Sequence, residues 1–212
     1  GYMRGRVMPM LPIRQDFDAF TLNETTTNTV ETPTAFAYPP LPWIGARFRF
    51  EVRELEGNKV LTKTIDNKFF QRGTAFVGDP DLKNYTIEAD VRSEGTKRKM
   101  SEVGIVNQRY LIVLKGNSQE LEVNSNQERL KVAVPFKWAP NTWYHLKARV
   151  DLAADGTGVV RGKAWKKGDP EPEAWTIEVP HKTAHQKGAP GLFAFAPQDM
   201  RVFIDNIAVN AN

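Results

Sequence analysis

The sequence predicts an all-β protein, an antiparallel two-sheet β-sandwich of the jelly-roll type. Three observations carry that expectation. From Trp43 onward, apolar and polar residues alternate with period two, in runs of roughly 5 to 10 residues bounded by Gly, Pro, Asn or Asp. No window carries an apolar stripe of 3.6-residue period, so no amphipathic helix is expected. Nothing repeats at the length of a propeller blade. A sandwich or a closed barrel remains, and strands paired as hairpins with one polar face each favour the sandwich.

Residues 1–47 read as an irregular lead with a first strand, and residues 48–212 as the sandwich, the two forming one domain. "RQDFDAF" (Arg14 to Phe20) is the first-strand candidate. The Thr- and Asn-rich stretch Thr21 to Thr34 and the proline-rich "AYPPLPW" resist regular pairing and read as connections. "ARFRFEVREL" then sets Phe48, Phe50 and Val52 against Arg47, Arg49, Glu51 and Arg53. "NKVLTKTI" is its partner across the Glu56–Asn58 turn. "YTIEADVRSE" sets Tyr85, Ile87, Ala89 and Val91 against Thr86, Glu88, Asp90 and Arg92. "EVGIVNQRYLIVLKG", "QELEVNS", "ERLKVAVPF", the hairpin "NTWYHLKARVDLAADGTGVVRGKAW", "AWTIEV", "PGLFAFAP" and "MRVFIDNIAV" continue the series.

With 212 residues and 41% hydrophobic residues, the chain can bury a substantial core. No apolar stretch approaches the roughly 20 residues of a membrane helix. The absence of cysteine excludes disulfides, thiolate zinc sites and a cysteine nucleophile. The N-terminal "GYMRGRVMPM" lacks the apolar core of a secretion signal, and the chain reads as a trimmed chain or a piece of a longer protein. A formal charge of +4 tilts the surface toward anionic partners. The densest basic run, "TKRKM" (Thr96 to Met100), is a solvated turn or a contact for an anionic polysaccharide or phosphate. No nucleic-acid motif occurs.

The segments "NYTIEADVRSE", "VNQRYLIVLKG", "WYHLKARVD", "GLFAFAP" and "VFIDNIAV" resemble the concanavalin A-like lectin/glucanase sandwich, including laminin-G-like domains. More narrowly, they resemble the sandwich appended to bacterial PQQ-type β-propeller repeat proteins. The resemblance spans roughly residues 74 to 210. It implies an exported, periplasmic or cell-surface bacterial protein that contacts carbohydrate, with other domains of a parent polypeptide as neighbours; it does not imply catalysis. It also implies a last strand lying beside the first, bringing Asp205 and Asn206 toward Asp16 and Asp18, where resembling sandwiches carry a structural calcium. Ca²⁺ takes 6 to 8 oxygen ligands, and these four residues are the candidate metal set.

Two binding surfaces are candidates. Trp143 and His145, with Arg161, Lys163 and Trp165 on the returning strand, share the polar side of one hairpin, where aromatic plates and cationic donors suit a sugar. The alternative is edge-covering tryptophans with Lys and Arg stems laid over them. Asn107, Arg109 and Tyr110 cluster at a second turn beside an amide-rich loop, Asn124 to Gln127. For hydrolysis the candidate acids are Glu88, Asp90, Glu94 and Glu102, but Glu88 and Glu94 stand roughly 20 Å apart on a straight strand. That spacing departs from the glucanase pattern. His181 and His185, four apart, lie in a Gly- and Pro-containing segment and read as loop histidines. The expected function is a non-catalytic carbohydrate-binding or surface-interaction module. The alternatives are a sugar-acting enzyme on the same scaffold and a purely structural domain packed on a propeller.

Overall fold

The computed structural model describes residues 5–26, 32–63, 71–96, 98–196 and 200–212. Within them the only regular elements are strands. In chain order, the first are β1 (Ile13–Gln15), β2 (Glu24–Thr25), β3 (Ala35–Ala37), β4 (Phe50–Leu55), β5 (Asn58–Lys63) and β6 (Arg72–Phe76). Next come β7 (Tyr85–Ser93), β8 (Gly95–Thr96), β9 (Lys99–Met100), β10 (Glu102–Asn107), β11 (Tyr110–Lys115) and β12 (Glu120–Ser125). The last are β13 (Leu130–Pro135), β14 (Tyr144–Leu152), β15 (Gly158–Lys166), β16 (Ile177–His181), β17 (Gly191–Phe195) and β18 (Val202–Ala211).

They form two antiparallel layers. The larger sheet has ten strands in the order β16-β15-β14-β7-β18-β5-β4-β3-β2, with β1 also paired to β18. The smaller has six, in the order β13-β12-β11-β10-β17-β6, and β8-β9 is a separate ribbon. Alternation decides which residues lie between the layers. Ile87, Ala89 and Val91 of β7 and Leu146, Ala148 and Val150 of β14 face Val103, Ile105, Ile112, Leu114, Leu121 and Val123 of the smaller sheet, all fully buried in one core.

The lead contributes strands to the larger sheet, and its first strand is shorter than the sequence suggests. It stops at Gln15, and Phe17 turns into the left-handed region (φ 62) with its ring fully buried against Phe20 and Trp43. The expected alternation through Phe48 also fails. Phe48 takes φ 67 and lies 72% exposed, so the strand begins at Phe50. Lys97 of the basic run lies outside the described residues.

The closing Asp-Asn pair is a β-bulge. The register of β18 on β7 slips between Asp205 and Ala208, and Asn206 sits at φ 49, a conformation that asparagine tolerates better than most residues. Its side-chain amide donates to Asp90 Oδ2 at 2.8 Å, and its backbone N–H donates to Asp205 Oδ1 at 2.8 Å. Asp205 Oδ2 accepts from the Asn58 amide at 2.9 Å. The first strand does lie beside the last, with Gln15 opposite Ile207. Asp16 Oδ1, however, accepts from the Asp18 backbone N–H. Among the described residues, no group of three or more His, Cys, Asp or Glu side chains is arranged to hold a metal ion.

Candidate functional site

The two outward faces of the sandwich differ in kind. On the larger sheet, strand register sets cation beside cation: Lys147 opposite Lys163, and Arg149 opposite Arg161. Like charges so placed repel, and carboxylates fill the gaps. Asp151 lies 2.8 Å from Arg149 and 2.6 Å from Arg161, while Glu178 takes the other side of Arg161 at 2.7 Å. Glu171, reaching in from the segment after β15, bridges Lys147 at 3.0 Å and Lys163 at 2.7 Å. The same segment lays Trp175 over Lys163 (4.7 Å) and the Pro172 carbonyl on its Nζ (2.7 Å), leaving Lys163 buried.

At the centre of this face His145 Nδ1 meets Asp90 at 2.7 Å and Nε2 meets Glu88 at 3.5 Å. Burial alone would lower the imidazole pKa; the hydrogen bonds to Asp90 and Glu88 outweigh it and hold His145 at about 9. The hydrogen bond from His145 in turn draws Glu88 down to about 2, against the opposing effect of burial. Burial would raise Asp90, yet bonds from His145, Lys167 and Asn206 keep it below the usual range. Asp205, pushed up by its own burial, stays above that range despite its amide partners. The Trp165 ring lies 4.6 Å from His145, and Trp143 carries Lys167 over its ring at 5.8 Å.

The smaller sheet presents a groove of about 960 Å³. Its outward residues form a grid that the registers define. One row runs Arg72, Phe195, Glu102, Lys115, Glu120, Pro135 across the six strands. The middle row runs Thr74, Phe193, Gly104, Val113, Glu122, Ala133, and the third Phe76, Gly191, Val106, Leu111, Asn124, Lys131. Phe76, Val106, Leu111, Val113 and Phe193 make the floor mostly apolar, and two buried glycines, Gly104 and Gly191, sit beside them in the grid without lining the groove. A Cβ on Gly191 would stand 3.1 Å from the Phe76 ring and 3.3 Å from Val106, and one on Gly104 would stand 2.5 Å from the Ile112 carbonyl oxygen. Glycine inside a strand marks such close approach.

The walls are polar. Glu102 pairs with Lys115 at 2.9 Å; Glu122 accepts from Asn124 at 2.7 Å and lies 3.5 Å from Lys131. Arg109 stands on the β10–β11 turn and donates to Gln127 of the β12–β13 turn at 3.2 Å.

The candidate residues from the sequence therefore separate into three places. Trp143, His145, Arg161, Lys163 and Trp165 come together, but on the larger sheet among paired charges. Arg109 lines the groove. Asn107 and Tyr110 are fully buried between the sheets. The Asn107 amide donates to the carbonyls of Tyr85 and Ala148, tying the layers at one end. The Tyr110 hydroxyl meets His181 Nδ1 at 2.7 Å and accepts from the His185 backbone N–H. Burial lowers the His185 pKa, as does the charge of Arg109, and its Nε2 lies 2.7 Å from Ser125 Oγ. Of the candidate acids, Glu88 and Asp90 belong to the His145 cluster, Glu94 accepts from the Arg201 backbone N–H, and Glu102 lines the groove. Sequence reasoning missed Arg72, Phe193, Glu122, Arg129 and Lys131 of the groove. No signal within one strand marks them, because register between separate strands brings them together.

An alginate lyase bound to an alginate tetrasaccharide superposes with a TM-score of 0.55 over 97% of this chain and 98% of its own, at 9% identity. A β-glucanase from Bacillus licheniformis matches at 0.54 over 95% and 98%, with 4% identity. The fold is the concanavalin A-like jelly roll. The carbohydrate-binding module CBM66 from Bacillus subtilis shares this jelly roll at 0.53 over 80% of this chain and 95% of the module, with 13% identity. No protein-family model matches the chain, and no curated protein matches it. No helix among the described residues of the jelly roll is long and apolar enough to cross a membrane.

Proposed function

We propose that the protein is a non-catalytic carbohydrate-binding module of a larger exported bacterial protein, with the glycan lying along the groove of the six-stranded sheet. The observation that carries this reading is the groove itself: a mostly apolar floor of Phe76, Val106, Leu111, Val113 and Phe193 between walls of amide and charged side chains. Apolar sugar faces suit such a floor and sugar hydroxyls suit such walls. That proteins of the same fold carry names of carbohydrate binding or carbohydrate cleavage agrees with it.

The absence of hydrolysis rests on the carboxylates. Glu120, about 7 Å from Glu122 along β12, does not line the groove. Of the carboxylates that do, Glu102 and Glu122 stand two strands and one row apart, roughly 12 Å between backbone positions. Hydrolytic pairs are about 5 to 9.5 Å apart. Each of the two is also held by a lysine. Glu88 and Asp90 are closer together but share His145 on the opposite face.

A glycan array with the native chain, Leu111→Trp and Trp165→Ala tests the reading. Leu111 lies on the groove floor and Trp165 on the other face. Binding by the native chain and Trp165→Ala, lost in Leu111→Trp, is expected. Binding lost in Trp165→Ala and kept in Leu111→Trp would move the site to the larger sheet. Reducing ends released from a bound polysaccharide would overturn the non-catalytic assignment.

A further inference from the structure

The groove is lined by five cations, Arg72, Arg109, Lys115, Arg129 and Lys131, against two carboxylates, Glu102 and Glu122. Both carboxylates are already matched, by Lys115 and Lys131. What remains is three guanidinium groups, and among the described residues none of them meets a carboxylate. We infer that the groove takes an acidic polysaccharide, one with carboxylates spaced along its chain, gripped by guanidinium groups at both ends of the groove. This rests on the glycan reading above and adds to it the charge of the ligand.

The placement of each arginine supports the assignment. At one end, Arg72 lies over the rings of Phe195 (5.2 Å) and Phe193 (5.6 Å). Stacking holds the planar group while leaving its N–H donors free, and a guanidinium fork matches a carboxylate bidentately.

At the other end, the third row of the grid and roughly 13 Å along the strands, two turns present Arg109 and Arg129. The β10–β11 turn has only two residues, Gln108 and Arg109, both left-handed at φ 47 and φ 72. Such turns ordinarily select Asn-Gly. Gln108 is locked there. Its N–H donates to the Tyr85 hydroxyl at 2.9 Å and its side-chain amide to the His185 carbonyl at 2.8 Å, while its Oε1 accepts from Asn84 N–H. The left-handed backbone thus carries a cation at the groove's rim, held in place by bonds from Gln108 to Asn84, Tyr85 and His185. Arg129, at φ 51, occupies the corresponding left-handed position before β13, and the Arg109–Gln127 hydrogen bond joins the two turns.

The test is titration calorimetry of the full chain with polygalacturonate, its methyl ester, a neutral β-glucan and poly-glutamate. The methyl ester keeps the sugar and removes the charge. Expected are binding to polygalacturonate alone, weakening steeply from about 0.1 M to about 1 M salt as the Debye length falls from about 10 to about 3 Å. Arg72→Gln or Arg109→Gln should each cost about tenfold or more in affinity, as loss of a charge-assisted hydrogen bond does. The triple variant with Arg129→Gln should bind none while keeping the native melting temperature. Equal, salt-insensitive binding of the methyl ester or the β-glucan would overturn the acidic assignment and leave the glycan groove standing. Equal binding of poly-glutamate would show capture of any polyanion and overturn it as well. Binding to none of the glycans would overturn both readings.

Discussion

On the outer face of the ten-stranded sheet, Lys147, Arg149, Arg161, Lys163 and Lys167 each lie within 3.0 Å of a carboxylate. Among the described residues on the outer face of the six-stranded sheet, Arg72 lies over aromatic rings, Arg109 donates to a side-chain amide, and Arg129 has no partner. The two faces carry the same residue types and differ in what has been done with the charges. Charges matched within the chain have little left to offer a ligand. Unmatched charges beside an apolar floor contribute little to folding and are available for binding.

Substitutions break or sharpen this contrast, and the largest effect belongs to Asp90. Its side chain is 4% exposed and serves His145, Lys167 and Asn206 at the bulge. Asp90→Ala removes the buried carboxylate on which partly buried His145, exposed Lys167 and the Asn206 amide converge, and should cost about 1 to 3 kcal/mol in denaturant unfolding. A cost below about 1 kcal/mol would show that the cluster is not structural.

A second effect is a stability plateau. His145 is raised from 6.5 to about 9, so its contribution is complete below pH 6.5 and is lost as pH rises through about 9. Glu88 is lowered from 4.5 to about 2, so its contribution is complete above pH 4.5 and is lost as pH falls through about 2. Thermal melts should therefore show the cluster at full strength between about pH 4.5 and 6.5. His145→Gln should flatten the alkaline limb; an unchanged limb would remove His145 from the account.

Smaller changes follow at the rim. Arg149 and Asp151 are 40% and 34% exposed, so Arg149→Ala should cost no more than about 1 kcal/mol despite its bidentate geometry. Arg72→Gln should be smallest, within about 0.5 kcal/mol in unfolding. A loss of 2 kcal/mol or more at Arg72 would mean that its stacking serves the fold, and the division between the faces would weaken.

Much of the sheet content was legible because strand periodicity is local. The alternation in "YTIEADVRSE" and in the Trp143–Trp165 hairpin predicts which side chains face the core, and β7, β14 and β15 follow it. It failed where one residue left the extended region, as at Phe48, since a single left-handed turn resets the parity of what precedes it. The hairpin's polar set was likewise legible, with His145 opposite Trp165 and Arg161 opposite Arg149. That Glu171 and Trp175 fold back over the set was not, because nothing local to β14 or β15 specifies where the segment after them will lie.

The sequence by itself determined an antiparallel jelly roll, since alternation, turn residues and the absence of helical periodicity are properties of neighbouring residues. Tertiary structure alone decided which outward face stays open and which arginines remain unmatched. The groove is a grid drawn from Arg72–Phe76, Glu102–Pro135 and Gly191–Phe195, set side by side by register. Register is fixed by packing between distant segments, and only there do charges on separate strands meet or miss one another.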